Sequence, residues 1–69
     1  MTTFSVRLRE LRTMKNLTQK QVAKKTKLSE RGYQGYELGE KEPSLANIIK
    51  LADFFEVSTD YLLGRVDKP

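Results

Sequence analysis

The 69-residue sequence contains no cysteine, no histidine and no tryptophan. Without cysteine no disulfide can form, and without cysteine or histidine a zinc finger and most other transition-metal sites are excluded. The chain also lacks a glycine-rich phosphate loop and a cluster of carboxylates at metal-binding spacing, which argues against an enzyme. We therefore predict no catalytic residue, no metal site and no cofactor.

Long hydrophobic runs are absent too. The sequence has no stretch of about 18 apolar residues and no secretory signal, which predicts a soluble, cytoplasmic protein that does not bind membranes. A chain this short supports a single core that buries only about 60% of the surface of the unfolded chain. We expect one domain over residues 1–64, followed by a polar, frayed tail over residues 65–69.

Acidic residues are scarce in the amino-terminal part of the chain. Residues 1–27 carry eight Lys/Arg and one acid, whereas residues 28–69 carry five Lys/Arg and eight acids, so their net charges are +7 and −3. This asymmetry indicates an anionic partner, and nucleic acid is favoured over a membrane because no long basic amphipathic helix is present. A solvated basic surface would explain the charge equally well, so the function must be argued from motifs.

Apolar spacing and helix caps predict an all-α fold of five helices. The first helix covers about residues 4–15, with Thr3 as its N-cap and with apolar residues at i, i+4 and i+7. Thr18 and Gln21 fit a capping box, which starts a short second helix. The third helix runs from about Glu30 to Leu38.

The last three helices are delimited by serine and glycine. The predicted N-caps are Ser29, Ser44 and Ser58, and the predicted glycine stops are Gly39 and Gly64. The fourth helix carries the strongest apolar stripe, formed by Leu45, Ile48, Leu51 or Ala52, and Phe55.

Two short helices over residues 18–37 have the spacing of a helix-turn-helix, although many helical proteins contain such hairpins. Four motifs stand in register with them: Leu-Arg-Glu-Leu-Arg at 8–12, Leu-Thr-Gln at 17–19, Tyr-Glu-Leu-Gly at 36–39 and Pro-Ser-Leu at 43–45. With these motifs the chain resembles the phage repressor and Cro family of helix-turn-helix regulators, also called the xenobiotic-response-element type. The resemblance covers roughly residues 7–64.

The resemblance implies a five-helix bundle in which the third helix lies in the major groove and the second crosses the DNA backbone. It implies a sequence-specific transcriptional regulator, a repressor, whose partner is double-stranded DNA with an inverted-repeat operator. The candidate DNA-binding residues are Thr18, Gln19, Ser29, Glu30, Arg31, Gln34, Gly35 and Lys41.

The outer side of the third helix is expected to carry base recognition. Arg31 can bond guanine N7 and O6 or a phosphate, Gln34 can bond adenine or a phosphate, and Glu30 can accept from cytosine N4. Leu38 falls on the same side. At the start of the second helix, Gln19 either contacts a phosphate or is a solvated residue of the first turn.

Glycine inside the third helix is unusual because it lowers helix stability. Gly35 either permits close approach of the backbone to DNA, or leaves neighbours to contact a thymine methyl, or is simply tolerated, as is Gly32. Lys27 stands where the family commonly has glycine, and a left-handed conformation there would be strained. The acidic loop at 40–42 predicts contacts to only a few phosphates and a shallow salt dependence.

Two structural expectations concern the helix contacts. The resemblance places Arg12 beside Glu37, which predicts a partly buried ion pair, with a phosphate contact from Arg12 as a secondary role. Tyr33 and Tyr36 lie one turn apart on the inward side and are expected in the core.

One small module binds DNA weakly, so we expect a homodimer that recognises two half-sites. Tyr61, Leu62 and Val66 are the candidate interface, although packing on the fourth helix explains Leu62 equally well. A function of another class also fits, namely an antitoxin- or adaptor-like module with a protein partner and secondary DNA binding. The acidic loop and the two glycines of the third helix suit that alternative.

Overall fold

The computed structural model describes residues 3–69, which form five α-helices and no strand. The helices are α1 Thr3–Met14, α2 Gln19–Thr26, α3 Glu30–Leu38, α4 Leu45–Phe55 and α5 Thr59–Leu63. The predicted all-α fold of five helices is confirmed. The predicted domain starts at residue 1, and its first two residues lie outside the described part of the chain.

Side-chain caps determine where four of the helices begin. Thr18 Oγ1 accepts the Gln21 amide at 3.1 Å, and Gln21 Oε1 accepts the Thr18 amide at 2.8 Å, which closes the predicted capping box. Ser29, Ser44 and Ser58 each accept the amide three residues ahead. The cap predicted at Thr3 is wrong, because Thr3 is already the first residue of α1.

The same four helices end in the left-handed conformation. Gly39 and Gly64 supply it at φ 75° and 84°, as predicted. Lys27 and Glu56 adopt it at φ 60° and 57° without the freedom of glycine. In all four cases the amide of the left-handed residue donates to carbonyls in the last turn of its helix.

The core lies where the helices meet, with α1 against α3 and α5, α2 against α3 and α4, and α4 against α5. Its buried apolar residues are Phe4, Leu8, Val22, Ala23, Tyr33, Tyr36, Leu51, Ala52, Phe55 and Leu62. One residue of the apolar stripe predicted for α4 does not belong to the core. Leu45 is 75% exposed, because it occupies the first position of α4, beyond the reach of the core.

Tyr36 connects three helices. Its ring packs edge-on against Phe4 at a centroid distance of 6.1 Å, and its hydroxyl accepts Asn47 Nδ2 of α4 at 2.9 Å. The buried hydroxyl of Ser5 donates to the Tyr36 carbonyl at 2.7 Å. These contacts hold α3 against α1 and α4, and so fix the position of the helix-turn-helix in the bundle.

The tail over residues 65–69, which was expected to be polar and frayed, is exposed but makes contacts with α1 and with the start of α5. Arg7 of α1 donates to the carbonyls of Tyr61 and Val66, the latter at 2.7 Å, and its guanidinium lies 4.0 Å from the centre of the Tyr61 ring. The Ser58 amide donates to the Pro69 carbonyl at 3.1 Å. Polar composition suggested a free tail, but a cation from the first helix binds its backbone.

Candidate nucleic-acid interface

The helix-turn-helix consists of α2 and α3, joined by residues 27–29. Lys27 leaves α2 at φ 60° and ψ 34°, and the Leu28 amide donates to the Ala23 carbonyl at 2.9 Å. Leu28 packs against the core, and Ser29 then caps α3. The turn is therefore fixed by one left-handed residue, one apolar anchor and one cap. Lysine at position 27 has the strained conformation that glycine adopts without a steric penalty.

The outer side of α3 presents three of the eight candidate DNA-binding residues. Glu30 and Arg31 are exposed, and Gln34 is half-buried. Gln34 Nε2 lies 3.4 Å from a Glu30 carboxylate oxygen, a long contact that leaves both groups able to bond a base. Leu38 is exposed at the end of the same side. The structure thus brings an arginine, a glutamate, an amide and an apolar side chain to one surface.

Thr18, Ser29 and Gln19 are partly engaged inside the protein. The hydroxyls of Thr18 and Ser29 accept backbone amides as caps, at 3.1 and 3.0 Å, and both residues are exposed. Each hydroxyl therefore still has a hydrogen to donate. Gln19 is half-buried, and its Nε2 donates to Glu37 Oε1 at 3.1 Å. Its side chain connects α2 to α3, which the sequence did not reveal.

Glu37 is the centre of a polar network beneath the helix-turn-helix. Arg12 Nε and Nη2 bind the two Glu37 oxygens at 2.7 and 3.0 Å, and Arg12 Nη1 donates to the Leu17 carbonyl at 3.0 Å. The Glu37 side chain is 1% exposed and that of Arg12 is 17% exposed. The predicted pairing is thus bidentate, a geometry that is stronger and more directional than a single contact.

The contacts and the burial in this network shift the pKa values of Glu37, Arg12 and Tyr33. Burial alone would raise the pKa of the Glu37 carboxyl, but the hydrogen bonds from Arg12 and Gln19 outweigh it and hold the pKa below its ordinary value. The bond to Glu37 in turn raises the pKa of Arg12. Burial raises the pKa of Tyr33, whose hydroxyl has no hydrogen-bond partner within residues 3–69. Glu37 is accordingly charged at neutral pH.

Gly35 was predicted to contact DNA, but the structure does not place it at the surface. It is buried, because the side chain of Lys41 lies across it. A Cβ at position 35 would stand 2.9 Å from Lys41 Cδ and 3.0 Å from Cγ. The close contact at Gly35 is therefore with the side chain of Lys41, which belongs to the loop after α3. At Gly32 a Cβ would stand 2.8 Å from the Ser29 hydroxyl that caps the helix.

The three residues predicted for a dimer interface differ in exposure. Leu62 is 0% exposed and belongs to the core, so its assignment to an interface is wrong; α5 is short and buries this residue against the other helices. Tyr61 is half-buried beneath Arg7, and Val66 is exposed. Sequence reasoning missed exposed apolar side chains of the same region and of α4, namely Leu63, Leu45 and Ile49.

Two further properties of the described residues bear on function. No helix within residues 3–69 combines the length and the apolar character needed to cross a membrane. In the same residues no group of three or more acidic, histidine or cysteine side chains is placed to hold a metal ion.

Comparison with protein families assigns the architecture. The profile of a helix-turn-helix family matches residues 8–62, which include α2, the turn and α3. The chain belongs to the helix-turn-helix family. The resemblance inferred from its motifs is thereby confirmed.

Members of this helix-turn-helix family include named regulators. The chain is 43% identical over 66 residues to YobD of Bacillus subtilis (strain 168), an uncharacterized HTH-type transcriptional regulator, covering 96% of this chain and 59% of YobD. It is 42% identical over 59 residues to RstR of Vibrio cholerae, a cryptic phage CTXphi transcriptional repressor, covering 86% of this chain and 53% of RstR. The chain thus spans about half the length of the curated relatives it matches.

A solved helix-turn-helix structure has nearly the same extent. The restriction-modification controller protein C.AhdI from Aeromonas hydrophila superposes with a TM-score of 0.81 at 39% identity, covering 88% of this chain and 92% of that chain. Its similarity supports the arrangement of the five helices.

Proposed function

We propose that this domain is a sequence-specific DNA-binding transcriptional regulator, acting as a repressor, and that α3 enters the major groove. The observation that carries the proposal is the outer side of α3, where Arg31 and Glu30 are exposed next to Gln34. Side chains of these types match guanine, cytosine and adenine edges. The name of RstR, a repressor, and the family membership support the same function.

The charge of the neighbouring helix supports a nucleic-acid partner. Lys20, Lys24 and Lys25 of α2 and Lys27 of the turn are all exposed. Cations next to a groove-binding helix neutralise phosphates and release counterions, which supplies affinity without sequence preference. At the start of α2, the Thr18 hydroxyl still has a hydrogen to donate, and the positive end of the helix favours a further phosphate there.

The Glu37 network gives the two helices a fixed relative orientation. Gln19 of α2 and Arg12 of α1 both bind the carboxylate that projects from α3. Base contacts require side chains held within a few tenths of an ångström, so a rigid junction between α2 and α3 favours specific recognition. In this proposal Arg12 and Glu37 position the interface, and a phosphate contact from Arg12 is secondary.

We further propose that the protein binds as a homodimer, to half-sites about 34–36 Å apart in an inverted repeat. The contact would use Tyr61 and Val66, with the exposed Leu63 replacing the buried Leu62. A twofold contact of apolar side chains fits this region because the same patch serves both subunits. The proposed functional domain is residues 1–64, and Val66 is the only residue of the tail that takes part in the proposed contact. The proposal makes the protein a non-enzymatic, cytoplasmic regulator of bacterial or phage type.

Selection of binding sites from random DNA, followed by gel shifts, tests the DNA proposal. Arg31→Ala should lose preference at one base pair per half-site by about 5- to 150-fold, because a bidentate pair discriminates by about 1–3 kcal/mol. Arg65→Ala, the same charge change in the exposed tail, is the matched control and should leave the preference intact. Absence of any selected sequence would contradict the proposal and favour the protein-interaction module. Equal weakening on all sequences would assign Arg31 to a phosphate.

Sedimentation at micromolar concentration tests the dimer. Leu63→Glu and Val66→Glu should each give a monomer, because a buried carboxylate without a partner is unfavourable. Met14→Glu, at an exposed apolar residue of α1, is the control and should leave the mass unchanged. A dimer that persists in both charged variants would place the interface elsewhere.

A further inference from the structure

A shallow depression of about 490 Å³ lies along the outer side of α3. It is lined by Arg31, Gln34, Gly35, Leu38, Glu40 and Lys41. Position 35 falls between the side chains predicted to contact bases, yet α3 supplies no side chain there. The depression is instead crossed by a side chain that comes from the loop after the helix.

The loop is held in place by the same glycine. The amides of Glu40 and Lys41 both donate to the Gly35 carbonyl, at 2.9 and 3.3 Å, after the left-handed turn at Gly39. Lys41 therefore starts from a fixed backbone position next to Gly35. A Cβ at position 35 would lie 3.4 Å from Lys41 Cβ, and closer still to Cγ and Cδ, so the methylene stem runs over the glycine Cα.

We propose that Lys41 is a specificity-determining residue of the DNA interface, whose ammonium group bonds a guanine in place of a side chain from position 35. This proposal rests on the DNA-binding function proposed above. A lysine ammonium carries three donors and no acceptor, and guanine alone offers two adjacent acceptors, N7 and O6, in the major groove. Within residues 3–69 no ion pair occupies Lys41, and the residue is exposed.

The proposal also explains why the helix contains a glycine at this position. Glycine is unfavourable inside a helix, and alanine would be the natural choice at a site that needs no side chain. The Cβ of alanine would, however, stand 2.9 Å from Lys41 Cδ and 3.0 Å from Cγ, so the Lys41 stem would have to shift from its position over residue 35. Gly35 and Lys41 therefore act as one unit, in which glycine makes room and lysine supplies the donor.

Measured dissociation constants for the selected operator and all its single-base-pair variants test the proposal. The proteins are the wild type, Lys41→Met, Gly35→Ala, the double variant, and Lys68→Met as a charge-matched control in the exposed tail. Lys41→Met keeps an unbranched stem without the ammonium. It should lose a preference for guanine at one position of the half-site by about 5- to 150-fold, with the other positions unchanged. A guanine analogue without N7 at that position should weaken the wild type and leave Lys41→Met unaffected.

Gly35→Ala should lose the same preference, although alanine favours the helix, and thermal melting should show that it is folded. In the Lys41→Met background it should add no further loss at that position. Equal weakening of Lys41→Met on all sequences, with a salt slope lower by about one phosphate, would overturn the proposal in favour of a phosphate contact. Retained guanine preference in Gly35→Ala would overturn it as well. A wild type without any sequence preference would instead overturn the proposed function, and this assignment with it.

Discussion

Replacement of Arg12 by methionine tests the role of the buried pair. The change removes both bonds to the Glu37 carboxylate, at 2.7 and 3.0 Å, and the bond to the Leu17 carbonyl, while methionine retains most of the apolar stem. Glu37, 1% exposed, then loses its bidentate partner and keeps the hydrogen bond from the Gln19 amide. Removal of one partner of a buried pair costs about 3–5 kcal/mol, and because Arg12 is partly exposed we expect about 3 kcal/mol.

That loss is large for a domain of this size. At about 0.05–0.15 kcal/mol per residue, the free energy of unfolding of 69 residues is about 3–10 kcal/mol. A loss of about 3 kcal/mol corresponds to a Tm lower by roughly 12–24 °C. Urea denaturation followed by circular dichroism at pH 7 measures it directly.

The pH dependence gives a second readout with a definite sign. In the wild type the pKa of Glu37 is below its unfolded value, so the pair stabilises fully above about pH 4.3 and the contribution is lost as the pH falls through the folded pKa. Without Arg12, burial dominates and raises the pKa of Glu37. Stability should then be lost as the pH rises above about 4.3, so the deficit of Arg12→Met should shrink between pH 7 and pH 5.

Two further variants make the test decisive. Arg65→Met breaks an ion pair to Asp60 whose side chains are 74% and 59% exposed, and should cost less than about 1 kcal/mol. The double variant Arg12→Met/Glu37→Leu removes the stranded carboxylate and should recover at least half of the loss. If Arg12→Met costs no more than Arg65→Met, or if its deficit is the same at pH 5 and pH 7, the argument is refuted.

Three other predictions concern the backbone and the charge. Lys27→Gly should raise the free energy of unfolding by about 0.5–1 kcal/mol, because it relieves a left-handed lysine at φ 60°; a lower urea midpoint would contradict this. Gly64→Ala should lower the free energy of unfolding by about 1–2 kcal/mol or more, because φ is 84° and the new Cβ would stand 2.6 Å from Thr3 Cγ2. An unchanged urea midpoint would exclude that strain. The slope of log K against log salt for the dimer should be about −4 to −5, because we expect only about two or three lysines per protomer to contact phosphates and the loop at 40–42 to add few cations; a slope near −10 would disprove it.

Helix boundaries and the family could be predicted because their signals are local. The capping box at Thr18 and the serine at position 29 act on amides within one turn, so the sequence alone shows where α2 and α3 begin. Lys27 could likewise be placed in the turn, because the next two residues are an apolar residue that packs on the core, Leu28, and the N-cap of α3, Ser29. The pairing of Arg12 with Glu37 was available only through the resemblance, because 25 residues separate the two positions.

What escaped prediction depends on contacts between distant segments. Leu45 and Leu62 both lie in apolar stretches, and only the packing of the helices makes the first exposed and the second buried. The role of Gly35 depends on Lys41, which belongs to an irregular loop with no periodicity to place it. Arg7 looked like one more basic residue of α1, yet it binds two carbonyls near the other end of the chain.

The paired caps of the helices have a consequence for how the chain folds. Each helix from α2 to α5 carries a side-chain cap at its start and a left-handed residue at its end, so its limits are specified within its own sequence. Such helices can form transiently before they meet, and bundles dominated by local contacts fold within microseconds to milliseconds. Loss of a cap that is already formed in the transition state should slow folding, whereas loss of an interaction formed after the transition state should mainly accelerate unfolding.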